Sequence, residues 1–339
     1  MSLDHPFADA PAFGQTVAVA PGVLWLRMPL PFALDHVNLW LIEDGAGWAV
    51  VDTGVSDRRS RELWQAVFDG PMAGRPITRL LVTHFHPDHI GLAAWLQRRF
   101  TVPLETTLGE WLYGRMLSLD SGEAFTEASL RFYRGAGFDD ALLELVRQRG
   151  NAYAAHTRHI PADCLRIRDG ETLRIGGRGW RVIVGEGHSP EMACLWCEEA
   201  GLLISGDQIL PSISPNISIW PSEPEADHLT EFLASLERFA ELPADTLVLP
   251  SHGLPFRGLR QRVAELAEHH AERLVETLDA CASPITAHEL LARLFPRPLD
   301  SHQMFFALGE SLAHLHCLRS RGQVWRETDA AGVHRYRRG

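Results

Sequence analysis

The sequence contains no lysine, and all 32 residues counted as lysine or arginine are arginines. A chain without lysine cannot form a Schiff base, cannot attach pyridoxal phosphate and cannot supply the lysine of a Walker loop. The formal net charge of -11 disfavours a general binder of polyanions. These absences exclude several large enzyme classes before any motif is considered.

Cysteine is scarce, and long apolar runs are missing. Five dispersed cysteines, an odd number, are typical of a reducing compartment without a disulfide framework. Cys194 and Cys197 form a C-x-x-C motif, but residues 192–197 are predicted to form a strand, where positions three apart point to opposite faces. No run approaches the roughly 18 apolar residues of a membrane span, and residues 1–14 are unlike a secretion signal. We therefore predict a cytoplasmic protein with no membrane partner.

Three histidines and an aspartate lie within six residues, directly after the apolar run at residues 80–82. The H-x-H-x-D-H motif consists of His84, His86, Asp88 and His89. Imidazole nitrogens and carboxylate oxygens are ligands that zinc and similar borderline metals prefer. The motif therefore predicts a metal site at the end of a strand.

Further candidate ligands each follow an apolar run that is typical of a strand. His188 follows residues 180–184, Asp207 follows residues 201–204, and His252 follows residues 246–249. Asp52 follows a similar run at residues 48–51. Because loops that leave strand ends gather at one edge of a sheet, we expect these side chains to meet the H-x-H-x-D-H motif there.

Taken together, these motifs resemble those of the metallo-β-lactamase-fold hydrolases over about residues 15–280. The resemblance implies two sets of metal ligands: a first triad of His84, His86 and His188, and a second triad of Asp88, His89 and His252. It also implies that Asp207 bridges the two metal ions and that Asp52 supports the metal-binding loop. Ser189 and Ser251 stand where the family often has threonine and glycine, which leaves the ligands unchanged.

The order of strand and helix patterns predicts an α/β (α+β) fold, a four-layer αββα sandwich of two sheets with helices outside. Residues 1–281 are predicted to form the catalytic domain, with hairpins at residues 171–184 and 192–204, a turn at 43–47, and helices at about 57–69 and 89–100. Residues 282–339 are predicted to form a small winged-helix-like domain with two helices and a hairpin.

About fifty residues between positions 107 and 161 form an insert of helical character, where the family needs only a short connection. Helices are predicted at residues 110–117, 123–134 and 138–149. Tyr113, Tyr133 and Tyr153 lie in or beside the insert. We predict that they bind substrate in a lid over the metal ions, and a purely structural helical cap is the alternative.

The predicted function is metal-dependent hydrolysis of a small-molecule substrate. Two zinc ions, with iron or manganese left open, would generate a metal-bound hydroxide that attacks a small ester, thioester or lactone. Asp88 would orient the water or shuttle its proton, and Asp52 would act from behind the ligands. A homodimer is left open.

Two other functions remain open. A single-strand endoribonuclease is favoured by the basic C-terminal hairpin, whose arginines are Arg319, Arg321, Arg326, Arg335, Arg337 and Arg338. Nucleic acid is nevertheless the less favoured partner, because no basic path towards the metal ions is visible in the sequence. The other alternative is non-hydrolytic: an iron-dependent enzyme, or a metal-sensing module built around the C-terminal domain.

Overall fold

The structure is a computed structural model, which describes residues 3–31, 34–157 and 159–339. The chain divides into two units. Unit 1 contains the described residues of Met1–Leu119, Ala152–Pro215 and Arg238–Arg262, and unit 2 contains Asp120–Asn151, Asn216–Glu237 and Val263–Gly339. The predicted boundary between residues 281 and 282 stays a prediction.

The first sheet of unit 1 has seven strands in chain order. They are β1 (Thr16–Ala20), β2 (Val23–Pro29), β3 (His36–Asp44), β4 (Gly47–Val51), β5 (Ile77–Leu81), β6 (Leu104–Thr106) and β7 (Leu165–Arg166). Strands β1 to β4 pair antiparallel, and β4 to β7 pair parallel. The turn predicted at residues 43–47 is confirmed between β3 and β4.

The second sheet of unit 1 has five strands. They are β8 (Thr172–Ile175), β9 (Arg178–Gly185), β10 (Met192–Cys197), β11 (Leu202–Gly206) and β12 (Leu247–Pro250), in the spatial order β12-β11-β10-β9-β8. Both predicted hairpins are confirmed, and β12 pairs parallel to β11. Cys194 and Cys197 are free and buried in β10, as the strand prediction required.

Unit 1 has an apolar core that draws on both sheets and a second core on the helical side of the first sheet. Trp25 and Trp40 stack with ring centroids 6.2 Å apart, and they share the first core with Trp180 of β9. Helix α1 (Arg58–Asp69) supplies Trp64 to the second core. Burial of apolar surface as large as this is the dominant favourable contribution to folding. This is the predicted order of helix, sheet and sheet.

The helix predicted at residues 89–100 is wrong in one detail, because it is two helices, α2 (Pro87–Ile90) and α3 (Ala93–Phe100). At Gly91 a Cβ atom would lie 2.8 Å from the carbonyl oxygen of Gly54, so the backbone passes too close for any other residue. The amide of Leu92 donates to Thr53 Oγ1 (3.0 Å) instead of a helical carbonyl. The break therefore ties the loop after β5, which carries the H-x-H-x-D-H motif, to the end of β4.

The insert forms all three predicted helices and one that was not predicted. Helix α4 (Leu108–Leu119) and the unpredicted α7 (Ala152–Thr157) belong to unit 1, while α5 (Glu123–Gly135) and α6 (Asp140–Arg149) belong to unit 2. The remaining helices are α8 (His228–Ala240), α9 (Leu259–Ala280), α10 (Ala287–Leu294) and α11 (Ser301–Ser320). Within the described ranges, no helix has both the length and the apolar character that crossing a membrane requires.

The C-terminal part of unit 2 is built around α11. Asp300 caps this helix by accepting from the amide of Gln303 (2.8 Å), and the side chains from Phe305 to Leu318 are mostly buried. Strands β13 (Val324–Thr328) and β14 (His334–Arg338) form the predicted hairpin. Two helices and a hairpin are present in the predicted order, and the winged-helix assignment stays a prediction.

Candidate metal centre

The candidate ligands follow strands whose carboxyl ends meet at one edge of unit 1. Strands β4 and β5 are parallel neighbours in the first sheet, and β9, β11 and β12 run in one direction in the second. The loops after β5, β9, β11 and β12 carry all seven predicted ligands. Gly206, with φ of 53°, turns the chain at the end of β11, directly before Asp207.

The structure brings the predicted ligands into overlapping groups. His84, His86 and His188 offer nitrogen atoms that all lie within 4.8 Å of one another, and so do the ligand atoms of Asp88, His89 and His252. A third group, His84, His89 and Asp207, joins the two triads under the same limit. The arrangement matches two adjacent metal positions with nitrogen and oxygen ligands.

Asp207 lies between the triads with one carboxylate oxygen towards each. Its Oδ2 is 3.4 Å from Nε2 of His188 and 3.9 Å from Nε2 of His84, in the first triad. Its Oδ1 is 3.6 Å from Nε2 of His89 and 3.4 Å from Nε2 of His252, in the second triad. The carboxylate is therefore placed to contact two metal ions at once.

The candidate ligands fit metal ions because some of their buried nitrogen atoms have no hydrogen-bond partner in the part of the chain that the structure describes. Nε2 of His84 and Nε2 of His89 are buried and have no hydrogen-bond partner among the described residues. A buried polar atom without a partner costs about 1–3 kcal/mol, so such atoms normally have an unseen water or ion. Imidazole nitrogens that converge with carboxylate oxygens are suitable ligands for a divalent cation.

Asp52 fixes the orientation of the ligand loop from behind. Its Oδ2 accepts from Nδ1 of His89 (2.9 Å), and its Oδ1 accepts from the amide of Thr83 (2.8 Å). The hydroxyl of Thr83 donates to Oδ2 (2.8 Å) and lies 3.0 Å from Nδ1 of His84. Asp52 has φ of 66°, a conformation that costs a non-glycine residue about 1–3 kcal/mol. The bonds to Thr83 and His89 hold Asp52 in this conformation.

His252 is oriented by β3 of the first sheet. Its Nδ1 donates to the carbonyl oxygen of His36 (2.7 Å), and the amide of Gly253 donates to Nε2 of His36 (2.9 Å). Asn38 donates to the carbonyls of Pro250 (2.9 Å) and Gly253 (2.8 Å). Both ends of the loop are thus tied to β3, and Nε2 of His252 is left to face the centre.

Two histidines of each triad have shifted pKa values, and the shifts have opposite directions in the two triads. Burial lowers the pKa of His84 well below its usual value and that of His86 to about 3. Burial also disfavours the charged forms of His89 and His252, but neighbouring carboxylates outweigh it, raising the pKa of His89 well above its usual value and that of His252 to about 10. Because only neutral imidazole can bind a metal ion, a cation that entered the second triad would have to displace protons from His89 and His252.

Glu110 is a buried carboxylate that the sequence reasoning missed. It lies in α4, is 0% exposed, and accepts from the amides of Phe85 (2.9 Å) and Glu191 (2.7 Å). Burial raises its pKa to about 7. The signal in the sequence was a single acidic residue in the otherwise apolar stretch at residues 108–113.

The three predicted substrate-binding tyrosines have different surroundings. Tyr113 of α4 is half-buried, and its ring centroid is 4.8 Å from that of Phe85, between two ligands of the first triad. The hydroxyl of Tyr153 donates to the carbonyl oxygen of Phe85 (2.6 Å). Tyr133 belongs to unit 2, is 5% exposed and stacks on Phe138. Their role in binding stays a prediction, and Tyr113 is the best placed within unit 1.

Comparison with known sequences identifies the family. A sequence model described as the Metallo-beta-lactamase superfamily matches residues 33–252. The chain belongs to the metallo-β-lactamase superfamily. A second model, described as the Metallo-beta-lactamase-like C-terminal domain, matches residues 274–339. The resemblance drawn from the motifs and the predicted fold class are both confirmed.

Individual members of the superfamily extend the match to nearly the whole chain. A beta-lactamase domain protein from Burkholderia ambifaria has a crystal structure with 47% identity and a TM-score of 0.93, over 99% of this chain and 98% of that one. The probable metallo-hydrolase YqjP of Bacillus subtilis (strain 168) is 25% identical over 88% of this chain and 92% of its own. The acyl-coenzyme A thioesterase MBLAC2 of Homo sapiens is 23% identical over 76% and 86%.

In this superfamily member, Asp52→Asn should weaken metal binding by about 10–100-fold, most strongly at the second triad. An amide in place of Oδ2 would turn its N–H towards the proton on Nδ1 of His89, so the imidazole would move that proton to Nε2 and lose its free lone pair. Zinc titration of the metal-stripped protein measures the change. Asp69→Asn, at an exposed carboxylate of α1, should leave the affinity unchanged. Equal affinities for all three proteins would contradict the role of Asp52.

Proposed function

We propose that this protein is a hydrolase that depends on two metal ions, zinc in the first instance, and cleaves a small ester, thioester or lactone. The observation that carries the proposal is the carboxylate of Asp207, which directs one oxygen to each triad at distances of 3.4–3.9 Å. A thioester is the first substrate class to test, because a relative over most of the chain is named an acyl-coenzyme A thioesterase.

Two divalent cations bound there would lower the pKa of a water molecule and polarise a carbonyl oxygen. The side chains of the protein would do the remaining work. Asp88, whose Oδ2 is 3.4 Å from Nε2 of His252, would orient the attacking water by accepting its hydrogen bond. Phe85 and Tyr113 would provide an apolar wall beside the first triad, against which an acyl group can pack.

The test is a substrate panel on protein of known metal content. Protein stripped by a chelator and reloaded separately with zinc, iron or manganese is assayed on acyl-coenzyme A thioesters, aryl esters, lactones and labelled single-stranded RNA. We expect turnover of at least one acyl substrate that disappears on metal removal and returns on reloading. Cleavage of RNA without turnover of any acyl substrate, or an iron-loaded coloured protein without hydrolysis, would replace the proposal with one of the two alternatives.

The endoribonuclease alternative depended on the basic C-terminal hairpin. Arg319 and Arg326 both pair with the carboxylate of Glu225, each at 2.7 Å. Arg335 pairs with Glu289 (3.5 Å) and Arg338 with Asp279 (3.7 Å). Four of the six arginines therefore have a carboxylate partner, which reduces the positive field that a nucleic acid needs. Helix α11 offers little further surface for a nucleic acid, since most of its side chains are buried.

Tyr113→Phe should lower kcat/KM on the true substrate by more than about tenfold, equivalent to about 1.4 kcal/mol of transition-state binding. The phenol combines a ring that can pack on an acyl chain with a hydroxyl that can donate to a developing oxyanion. Tyr133→Phe tests the second predicted tyrosine, and we expect near-normal activity for it because that ring is 5% exposed within unit 2. Metal content should be unchanged in both variants. Near-normal activity of Tyr113→Phe would exclude a catalytic part for this hydroxyl.

A further inference from the structure

The insert contributes a carboxylate to the support of the metal centre. Glu110 of α4 is 0% exposed, and a carboxylate in such a place is costly unless its oxygens are hydrogen-bonded. Oε2 accepts from the amide of Phe85 (2.9 Å) and Oε1 from the amide of Glu191 (2.7 Å). Both oxygens are therefore engaged with the backbones of two different loops.

These two loops carry the first triad. Phe85 stands between His84 and His86, and Glu191 comes three residues after His188. The imidazole centroid of His188 lies 4.5 Å from that of His86 and 5.1 Å from that of His84. A side chain that holds both backbones at fixed distances from one carboxylate also holds the distance between these imidazoles.

The position of α4 is fixed by contacts on either side of Glu110. Thr107 Oγ1 donates to the carbonyl oxygen of Glu191 (2.7 Å), and the amide of Gly109 donates to Oε2 of Glu191 (2.8 Å). A Cβ atom at Gly114 would lie 3.0 Å from the hydroxyl of Tyr153 and 3.2 Å from Cβ of Phe85. The helix thus packs directly on the metal-binding loop, and it has little freedom to move Glu110.

We propose that Glu110 is a positioning residue that sets the separation of the two loops of the first triad, and through it the metal affinity of that triad. The second triad has other supports, Asp52 behind His89 and the carbonyl of His36 behind His252. Loss of the Glu110 carboxylate therefore weakens one metal position selectively. The inference rests on the proposed function in one respect, that the triads bind metal ions.

The experiment measures zinc affinity at each position separately, with a chromophoric chelator as competitor. The Asp88→Ala background leaves the first triad intact, and the His86→Ala background leaves the second. Adding Glu110→Gln should weaken zinc binding by about 10–100-fold in the first background and by less than about twofold in the second. The glutamine keeps the shape, but its amide nitrogen turns one acceptor into a donor that faces a backbone N–H.

Two further variants complete the design. Glu62→Gln, at an exposed carboxylate of α1, should leave zinc affinity unchanged in both backgrounds. Thr107→Val removes the hydroxyl that holds the segment of Glu191 while keeping the carboxylate of Glu110, and it should produce a smaller loss confined to the first triad. It supplies the test if Glu110→Gln does not fold.

The outcomes separate the inference from the proposed function. If the unmodified protein binds neither zinc nor iron nor manganese, the proposed function fails. If it binds two zinc ions but neither Glu110→Gln nor Thr107→Val changes the affinity of the first triad, the positioning role is wrong. Equal weakening of both triads would also contradict it, because that result indicates general destabilisation.

Discussion

Replacing Asp207 by alanine should remove both metal ions from the centre and lower hydrolysis by about a thousandfold or more, because the variant loses the charge that both positions share. Asp207 directs Oδ2 to His84 and His188 of the first triad and Oδ1 to His89 and His252 of the second. Removing the carboxylate also leaves the mutual repulsion of two adjacent cations without the negative charge that lies between them. The metal content, measured by mass spectrometry, should fall from close to two ions per chain towards none.

Asp88→Ala is the matched control for this result. Asp88 also lies at the centre, but among the described residues the histidines paired with its Oδ2 are His89 (3.5 Å) and His252 (3.4 Å), both ligands of the second triad. Its loss should reduce metal content to about one ion per chain, because the first triad keeps three histidines and Asp207. If Asp207→Ala instead retains one full equivalent, as Asp88→Ala should, Asp207 belongs to a single metal position and does not bridge.

The ligands of the centre could be predicted because each one is adjacent to a local pattern. The H-x-H-x-D-H motif and the single ligands at His188, Asp207 and His252 all follow short apolar strands, and parallel strands bring their carboxyl ends to one edge. The two sheets with helices outside could be derived from the order of the strand and helix patterns. The division of these ligands into two triads bridged by Asp207 came from the resemblance to the metallo-β-lactamase fold.

The parts that escaped prediction depend on contacts between segments far apart in the chain. Glu110 gains its role only because α4 packs on residues 85 and 191, and a lone glutamate in a helix carries no motif. The basic hairpin shows the same limit, because the Glu225 carboxylate that pairs with Arg319 and Arg326 is 94 and 101 residues away. Charge counted along the sequence overestimates the positive surface wherever such partners exist.

The stability of unit 2 should fall as the pH drops from 7 to 5, through buried histidines in α11. His314 is 0% exposed and its Nδ1 donates to the carbonyl of Glu310 (2.8 Å), while Nδ1 of His316, which is 3% exposed, donates to the carbonyl of Ala226 (2.9 Å). Burial lowers the pKa of each to about 4. The charged groups around them are Arg273, Glu276, Arg319, Glu225 and Arg326.

The sign follows from proton binding in the two states. An unfolded histidine has a pKa of about 6.5, so between pH 6.5 and 4 the unfolded chain binds protons that the folded chain does not. The stabilisation from each neutral histidine is complete above pH 6.5 and is lost as the pH falls towards 4. At pH 5 the loss is about 1–2 kcal/mol for each histidine. Glu310 acts in the opposite direction, because burial raises its pKa to about 7 and the folded state then holds an extra proton.

Because of that opposing carboxyl, the difference between variant and unmodified protein is the decisive quantity. His316→Asn keeps a donor for the carbonyl of Ala226 but removes the titrating ring, so the slope of unfolding free energy against pH between 6 and 5 should decrease by about 1.2 kcal/mol per pH unit. Urea unfolding of metal-free protein in chelator measures it, which keeps the metal centre out of the comparison. His302→Asn, at an exposed position of α11, should leave the slope unchanged. Parallel curves for His316→Asn and the unmodified protein would mean that His316 titrates alike in both states, and that its burial does not exclude the proton.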